Sequence, residues 1–362
     1  MKNRSRDEVA LNASRRKFIR AVGATAIGAT MTKITLLGTT DKAGTKCPIF
    51  GSGEFKYEAC HDWGELPASI RYGNTHGVVQ DSQGYMYIHH TVGSESQDDD
   101  TMVVFDPNGK FVRAWGKEFK GGAHGLHIQK EGNEEFLYMC DTKRSVVVKA
   151  TLKGEVVFSL GYPKESDKYT LDADGKPAVK YIPTNLAIAP NGDLYVGDGY
   201  GSSYINQYNK KGEFIRTFGG AGKDAGQLSC PHGITIDTRG KTPLVLVADR
   251  SNSRLQYFTL DGQHHSFVND FPHPCHFHER KGVFVIPDLF SKVTLIDRNN
   301  KVVAQLGEGP KDVWKDLRKQ TRDKFVPGQF VCPHGACFDH EGNIFVVEWV
   351  EVGRVTKLKK VS

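Results

Sequence analysis

A unit of four short apolar runs recurs six times along the chain, and this repeat constrains the fold more than any other feature. Each unit has a turn glycine after its first run, and in five units the second run ends in an acid: Asp141, Asp198, Asp249, Asp288 and Glu348. His90 takes the place of that acid in the first unit. Four short strands per unit, at a period of roughly forty to sixty residues, are typical of propeller blades. The sequence therefore predicts an all-β, six-bladed β-propeller.

The two ends of the repeat region complement each other. The sixth unit contains only three runs before Ser362. Residues 54–64 end in Trp63-Gly64, as other fourth runs end in an aromatic residue or leucine followed by glycine, and no first three runs precede them. We therefore expect this N-terminal strand to complete the last blade and close the ring. The expected organisation is a signal and linker over residues 1–46 and one propeller over residues 47–362.

The segment ahead of the propeller carries an export pattern. Residues 14–20 read Ser-Arg-Arg-Lys-Phe-Ile-Arg and precede a weakly apolar run over residues 21–38. This pattern predicts a twin-arginine signal peptide, and hence a periplasmic or secreted protein that uses the twin-arginine export machinery. A basic disordered tail is the alternative. Because the apolar run is short and Lys33 interrupts it, stable membrane insertion is not expected.

The excess of basic residues that gives the chain its net charge lies entirely in this first segment. The formal charge of the whole chain is +6, and residues 1–34 contain eight Lys/Arg and two Asp/Glu, which is also +6. The remainder has 40 basic and 40 acidic residues, interspersed along the chain. Since no basic stripe is present, the sequence does not predict nucleic acid as a partner.

Histidines keep one position relative to the turn glycines. His273 stands nine residues before its glycine, Thr184 breaks the series, and four histidines stand eight residues before theirs: His76, His124, His232 and His334. The first strand of each blade lines the central channel of a propeller, so side chains at the start of these strands are expected to converge at one mouth of it. Polar side chains that solvate the channel without a metal are the alternative reading.

Three of these histidines come from alternate blades. His124, His232 and His334 belong to the second, fourth and sixth units and are therefore about 120° apart around the axis. Three imidazoles at this spacing leave one tetrahedral position open, as in a catalytic zinc site. Imidazole also suits copper, iron and nickel, so the identity of the metal stays open. We expect His76 and His273 to act beside the metal as further catalytic residues.

Residues that follow second strands should lie at the same mouth. Tyr200 and Arg250 occupy such positions in the third and fourth units. A tyrosine near a metal and an arginine can serve as a base, and an arginine can hold a carboxylate through two hydrogen bonds. Ordinary loop residues are the alternative. Three longer connections, residues 162–181, 220–229 and 308–330, are expected to cover this mouth.

Seven cysteines are too few for a disulfide scaffold. Cys140, Cys275 and Cys337 alternate with apolar residues and are expected to be buried. For Cys230 and Cys332, which each stand two residues before a histidine, packing, ligation of a soft metal and mutual pairing are the alternatives. A local disulfide between residues 47 and 60 is a further alternative.

Taken together, several short motifs resemble those of NHL-repeat propellers, and most specifically of peptidyl-α-hydroxyglycine α-amidating lyases. The motifs span the propeller region and are Ala123-His-Gly-Leu, Pro183-Thr, Val196-Gly-Asp-Gly-Tyr, Pro231-His, Val247-Ala-Asp-Arg and Pro333-His. The resemblance implies zinc on His124, His232 and His334, with Tyr200 as the base and Arg250 as the carboxylate-binding residue. It also implies cleavage of the C–N bond of a hydroxyglycine to give an amide and glyoxylate.

The sequence departs from this family at two positions of its motifs, and His76 and His273 add histidines that the zinc site of the family does not need. The family has a further arginine where this chain reads Ile88-His-His-Thr, and an aspartate that helps to bind structural calcium where this chain has Gly335. The structural calcium therefore does not carry over. We expect an exported, metal-dependent, lyase-like enzyme that acts on a small hydroxylated, carboxylate-bearing compound, either a small molecule or derived from a peptide. The alternatives are a non-catalytic propeller that binds a protein or glycan and a metal-dependent hydrolase or lactonase.

Overall fold

The computed structural model describes residues 46–361. The predicted twin-arginine motif at residues 14–20 lies outside the described residues. Within the described part of the chain, the strands form six antiparallel sheets. No helix in this part is both long and apolar enough to cross a membrane.

Five of the sheets have four strands each, taken in chain order from the inside of the ring to the outside. After β1 (Ile49–Phe50) and β2 (Tyr57–His61), the first sheet consists of β3 (Thr75–Gln80), β4 (Met86–His90), β5 (Met102–Phe105) and β6 (Phe111–Trp115). The second consists of β7 (Ala123–Glu131), β8 (Glu134–Asp141), β9 (Val146–Thr151) and β10 (Val156–Leu160). The third consists of β11 (Asn185–Ile188), β12 (Leu194–Gly197), β13 (Tyr204–Tyr208) and β14 (Phe214–Gly219).

The remaining sheets continue the pattern. The fourth consists of β15 (Pro231–Asp237), β16 (Leu244–Asp249), β17 (Arg254–Phe258) and β18 (His264–Val268), and the fifth of β19 (His278–Arg280), β20 (Val283–Asp288), β21 (Lys292–Ile296) and β22 (Val302–Leu306). The sixth contains β23 (Pro333–Phe338), β24 (Ile344–Glu348) and β25 (Arg354–Lys360). The helical elements of the described chain are short: α1 (Trp314–Leu317) and 3₁₀ turns at Gly53–Phe55, Lys117–Phe119, Arg250–Asn252 and Arg322–Lys324.

The outer part of the sixth sheet comes from the N-terminal side of the propeller. Strand β2 pairs antiparallel with β25, with Tyr57 opposite Lys360 and His61 opposite Thr356, and β1 adds a short fifth strand outside β2. Hydrogen bonds between the two ends of the repeat region therefore hold the last sheet together. The predicted all-β, six-bladed propeller is confirmed.

Apolar side chains lie between each pair of neighbouring sheets, including the sixth and the first. At that junction Phe345 and Val347 pack with Val78 and Ile88. The second strand of each sheet is covered on both faces and is therefore mostly buried along its length. Third strands are buried as well but carry polar side chains such as Asn206 and Gln256. Outer strands have fewer neighbours, and their apolar residues are partly exposed, as at Val156. This packing supports the inner strands, whose first residues build the site described below.

Candidate functional site

Four histidines meet where the first strands begin. The ring centroids of His124, His232 and His334 lie 4.7 to 4.9 Å apart, and His76 lies 4.7 Å from His124 and 4.6 Å from His334. Each of the four is at most 8% exposed. The structure thus brings together the three histidines predicted as metal ligands and adds His76 to them.

The three histidines from alternate blades share one hydrogen-bonding pattern. Each directs Nδ1 at the backbone carbonyl of the equivalent residue in the next blade: His124 at Thr184 (2.7 Å), His232 at Cys275 (2.9 Å) and His334 at His76 (3.0 Å). A carbonyl oxygen only accepts, so Nδ1 carries the proton and Nε2 of each neutral ring keeps its lone pair. Fixing the tautomer in this way is how proteins prepare histidines to bind a metal.

The glycine after each of these histidines makes room for that carbonyl. A Cβ added to Gly125 would lie 2.5 Å from the Thr184 oxygen, one at Gly233 2.6 Å from the Cys275 oxygen, and one at Gly335 2.5 Å from the His76 oxygen. Real Cβ atoms do not approach an oxygen so closely. The repeated His-Gly pair therefore serves the orientation of the imidazole as well as the turn into the strand.

Four of the acids that end second strands anchor the segments that lead into the first strands: Asp198, Asp249, Asp288 and Glu348. Asp249 accepts a hydrogen bond from Ser229 N (2.7 Å), and Glu348 accepts one from Val331 N (2.7 Å). In the first blade His90 stands in this place, but its Nδ1 accepts from Val92 N (3.0 Å) in the connection that follows the second strand. Burial is the main reason that the pKa of Asp249 is raised, although its hydrogen bonds oppose the shift. These acids act as supports for the histidine positions.

Burial sets the protonation state of the cluster. It lowers the pKa of His124 to about 3, and it lowers the pKa values of the others well below the ordinary value: His76, His232 and His334. The four rings are therefore neutral at pH 7, which is the form of imidazole that binds metal ions.

Tyr200 completes the cluster on one side. Its hydroxyl lies 3.1 Å from Nε2 of His124 and 3.0 Å from Nε2 of His232. Burial raises the pKa of Tyr200 to about 12, and the positive charge of Arg250 opposes this rise. The guanidinium of Arg250 lies over the Tyr200 ring, with Cζ 5.4 Å from the centroid.

Arg250 is a half-buried cation that has no carboxylate partner among residues 46–361. Its Nη2 donates to Cys230 Sγ at 3.2 Å, and its Nε is buried without a hydrogen-bond partner. Among the ion pairs between described residues, Arg254 rather than Arg250 takes the nearby Asp249. A buried positive charge without a negative partner is costly, so this guanidinium is suited to an anion that enters from outside.

The hydrogen bonds of the cluster leave one acceptor without a donor. Nε2 of His124, His232 and His334 offers three lone pairs, whereas Tyr200 has one hydroxyl proton, and Nδ1 of His76, at 3.4 Å from Nε2 of His334, can supply at most one weak hydrogen bond more. A buried acceptor that lacks a donor costs about 1 to 3 kcal/mol. A divalent cation bound by these nitrogens would remove the shortfall, and the donor set fits an ion that prefers imidazole.

His273 does not occupy the position that the sequence predicts. It stacks on Phe290, with centroids 4.6 Å apart, and its Nδ1 lies 2.9 Å from Pro272 O. In the fifth blade, Cys275 occupies the position that a histidine occupies at the start of the first strand in four other blades. Its carbonyl accepts a hydrogen bond from His232. The prediction that His273 occupies the same position as the other four histidines, and acts beside the metal, is therefore wrong. The distance to the turn glycine is misleading in this blade because β19 has only three residues. The motif Pro274-Cys275, which matches Pro231-His232, marks the correct position instead.

The three longer connections contact the ends of second strands, on the side of the histidine cluster. Tyr169 donates to Asp198 (2.8 Å), and Gly222 O accepts from Asn252 (2.9 Å). In residues 308–330, Arg318 lies over the Trp349 ring at 3.6 Å and donates to Asn74, two residues before His76. These segments therefore border the cluster.

The cysteines pack in most cases. Cys140, Cys275 and Cys337 are fully buried among apolar residues, as predicted. Cys332 packs in a cluster with Cys275 and Val331, while Cys230 accepts from Arg250. The alternative of a disulfide between Cys230 and Cys332 is thus not what the structure has.

The fold and the site together define the class of this protein as a six-bladed propeller with a buried histidine cluster where its first strands begin. No family model matches the chain. The chain is 29% identical to peptidyl-α-hydroxyglycine α-amidating lyase 1 of Drosophila melanogaster over 286 residues, which cover 68% of this chain and 47% of the fly protein. It is 27% identical to the peptidylglycine α-amidating monooxygenase of Rattus norvegicus over 250 residues, or 61% of this chain and 24% of the rat protein.

The chain thus matches less than half of the length of these two relatives. A solved streptogramin B lyase has a similar fold, with a TM-score of 0.56 and 12% identity, covering 86% of this chain and all of that one. This likeness shows the fold alone. The resemblance to α-amidating lyases that the sequence predicts is confirmed.

Proposed function

We propose that this protein is a metal-dependent lyase that acts on a small hydroxylated compound carrying a carboxylate. The observation that supports this most strongly is the buried cluster in which the rings of His124, His232 and His334 have centroids within 4.9 Å of one another. The Tyr200 hydroxyl lies beside two of these rings, and among the described residues the guanidinium of Arg250 has no ion-pair partner. The similarity to α-amidating lyases supports the same reaction class.

Substrate binding, metal binding and proton transfer would fall to different residues of the site. Arg250 would hold the substrate carboxylate through charge-assisted hydrogen bonds, which places the adjacent hydroxyl-bearing carbon near the imidazoles. A divalent ion on His124, His232 and His334 would supply a positive charge that lowers the pKa of the substrate hydroxyl and of Tyr200. Tyr200, within hydrogen-bonding distance of two of these histidines, would remove the hydroxyl proton.

The overall reaction balances without a further reactant. As the hydroxyl loses its proton to Tyr200, its C–O bond becomes a carbonyl, and the C–N bond to the amide nitrogen breaks. The nitrogen keeps that electron pair and receives the proton back from Tyr200. A hydroxyglycine derivative would give an amide and glyoxylate.

The binding of the anion would rest mainly on Arg250. At the end of the second strand of the first blade, where the α-amidating lyases have another arginine, this chain has His89 and His90, which are both fully buried. We therefore expect weak turnover of peptidyl hydroxyglycine and better turnover of another hydroxylated carboxylate.

The direct test measures metal content and product in the same preparation. The mature protein should contain one transition metal per chain by elemental analysis and should release an aldehyde acid from at least one member of a panel of N-acyl and N-aryl hydroxyglycines. A protein without metal that is inactive on the panel would contradict the proposal, and hydrolysis of lactones instead of this release would favour the lactonase reading.

Replacing Arg250 by alanine should raise KM for carboxylate substrates by about 10- to 100-fold, since a hydrogen bond to a charged group contributes roughly 1.5 to 3 kcal/mol and is made in both the ground and the transition state. Steady-state kinetics with a carboxylate substrate and its neutral amide checks this. KM for the amide should barely change. Arg250→Lys keeps the charge but not the planar fork, so it should fall between the two. Equal effects on both substrates would refute the role.

We also propose export through the twin-arginine pathway, which rests on residues 14–20. Changing Arg15 and Arg16 to lysines should leave the precursor in the cytoplasm, because the pathway reads the arginine pair and not the charge. Cell fractionation with an antibody to the chain measures this. The same change at Arg4 and Arg6 is the matched control and should leave export intact. Normal export of the Arg15, Arg16 variant would show that the segment is a basic tail.

A further inference from the structure

His76 belongs to the cluster, although the resemblance to α-amidating lyases gives it no role. Its ring contacts His124 and His334, and its Nδ1 lies 3.4 Å from Nε2 of His334. The ligand nitrogens of His76, His124 and His334 all lie within 4.8 Å of one another. His76 thus contributes a nitrogen close to those of His124 and His334, and His232 is not part of this group of described residues. The His232 ring contacts the rings of His124 and His334.

The contact between His76 and His334 is poor as a hydrogen bond. Nδ1 of His334 donates to the His76 carbonyl, so Nε2 of His334 is a lone pair that faces Nδ1 of His76. At 3.4 Å the two nitrogens are farther apart than the 2.7 to 3.2 Å of ordinary hydrogen bonds. Two nitrogens that each lie about 2.1 Å from one metal ion at a tetrahedral angle are, by contrast, about 3.4 Å apart.

The side on which His76 lies also favours a ligand over a base. His76 and His232 each contact the central pair, His124 and His334. Tyr200 contacts His124 and His232. Tyr200 and Arg250 therefore lie on the His232 side of the central pair, and this side is left for the substrate. His76 contacts the same pair without contacting Tyr200, and we infer that it lies on the other side.

We propose that His76 is a fourth ligand, bound through Nδ1 to the ion that His124, His232 and His334 hold. This inference rests on the proposed metal-dependent function and goes beyond it. Four imidazoles fill a four-coordinate zinc site completely. The ion must then accept a fifth ligand when the substrate binds, and this favours ions that readily take five or six ligands, such as Fe(II), Co(II) or Ni(II), over a zinc that stays four-coordinate.

The test counts imidazoles on the bound ion. X-ray absorption spectra at the edge of the bound metal, recorded for the wild type, His76→Ala and His76→Gln, should show four imidazole nitrogens in the wild type and three in either variant. Both variants should also bind the ion at least about tenfold more weakly in competition with a chelator, since even indirect supports of a metal site contribute that much. The visible spectrum of the Co(II) form should differ between the wild type and the variants.

Controls separate the possible failures. His265→Ala, which removes an exposed histidine from β18, should change neither the imidazole count nor the affinity. If His76→Ala does not fold, His76→Gln and the wild-type count decide. Three imidazoles in the wild type, with unchanged affinity in His76→Gln, would overturn the fourth ligand and leave the proposed function standing. A wild type that binds no ion would contradict the proposed function itself.

Discussion

Replacing Tyr200 by phenylalanine should lower kcat by about 10² or more, which is the usual contribution of a positioned general base. The substitution removes the hydroxyl that lies 3.1 Å from Nε2 of His124 and 3.0 Å from Nε2 of His232, and it leaves the ring under Arg250 in place. The metal content should stay at the wild-type level, because Tyr200 is not among the ligands that we propose. Steady-state kinetics and elemental analysis of the same sample measure both quantities.

Tyr208→Phe is the matched control for this substitution. The hydroxyl of Tyr208 is also buried, has no hydrogen-bond partner within the described part of the chain and lies in the core between the second and third blades. Its loss should leave kcat unchanged. If Tyr200→Phe kept full activity on a substrate that the wild type cleaves, the assignment of Tyr200 as the base would be wrong.

Replacing His124, His232 or His334 by alanine should remove most of the bound metal and abolish activity. Each of these imidazoles supplies one Nε2 with its tautomer already set by a carbonyl of the next blade, so the loss of one leaves an incomplete ligand set. The propeller should still fold, because each sheet packs on its neighbours through its own apolar residues. Elemental analysis checks the metal, and circular dichroism checks the sheets.

The exposed His340 provides the control for these variants. His340→Ala should retain the metal of the wild type. Full metal occupancy in a triple variant of His124, His232 and His334 would place the ion elsewhere in the chain and would rule out the site proposed here.

Much of the architecture follows from local pattern. Alternation and turn residues repeat in every blade, and a strand forms wherever such a run can be covered on both faces. The pairing of β2 with β25 follows from the same pattern, since an unmatched fourth run and an unmatched set of three have only each other to pair with. His124, His232 and His334 could be predicted as neighbours because a period that closes into a ring brings equivalent positions together.

Other features depend on contacts between blades, and no single blade encodes those. The distance along the chain to a turn glycine does not locate the position of His273, because this distance changes when a strand is shorter, as β19 is. The alignment of the Cys275 carbonyl with His232 is set by packing between blades. The sequence alone determined the propeller, its repeated histidines and the positions of Tyr200 and Arg250. Only the tertiary structure decided the tautomers of the imidazoles, the lack of a carboxylate partner for Arg250 among the described residues and the place of His76 in the cluster. Each of these depends on distances of a few ångströms between side chains and carbonyls of different sheets.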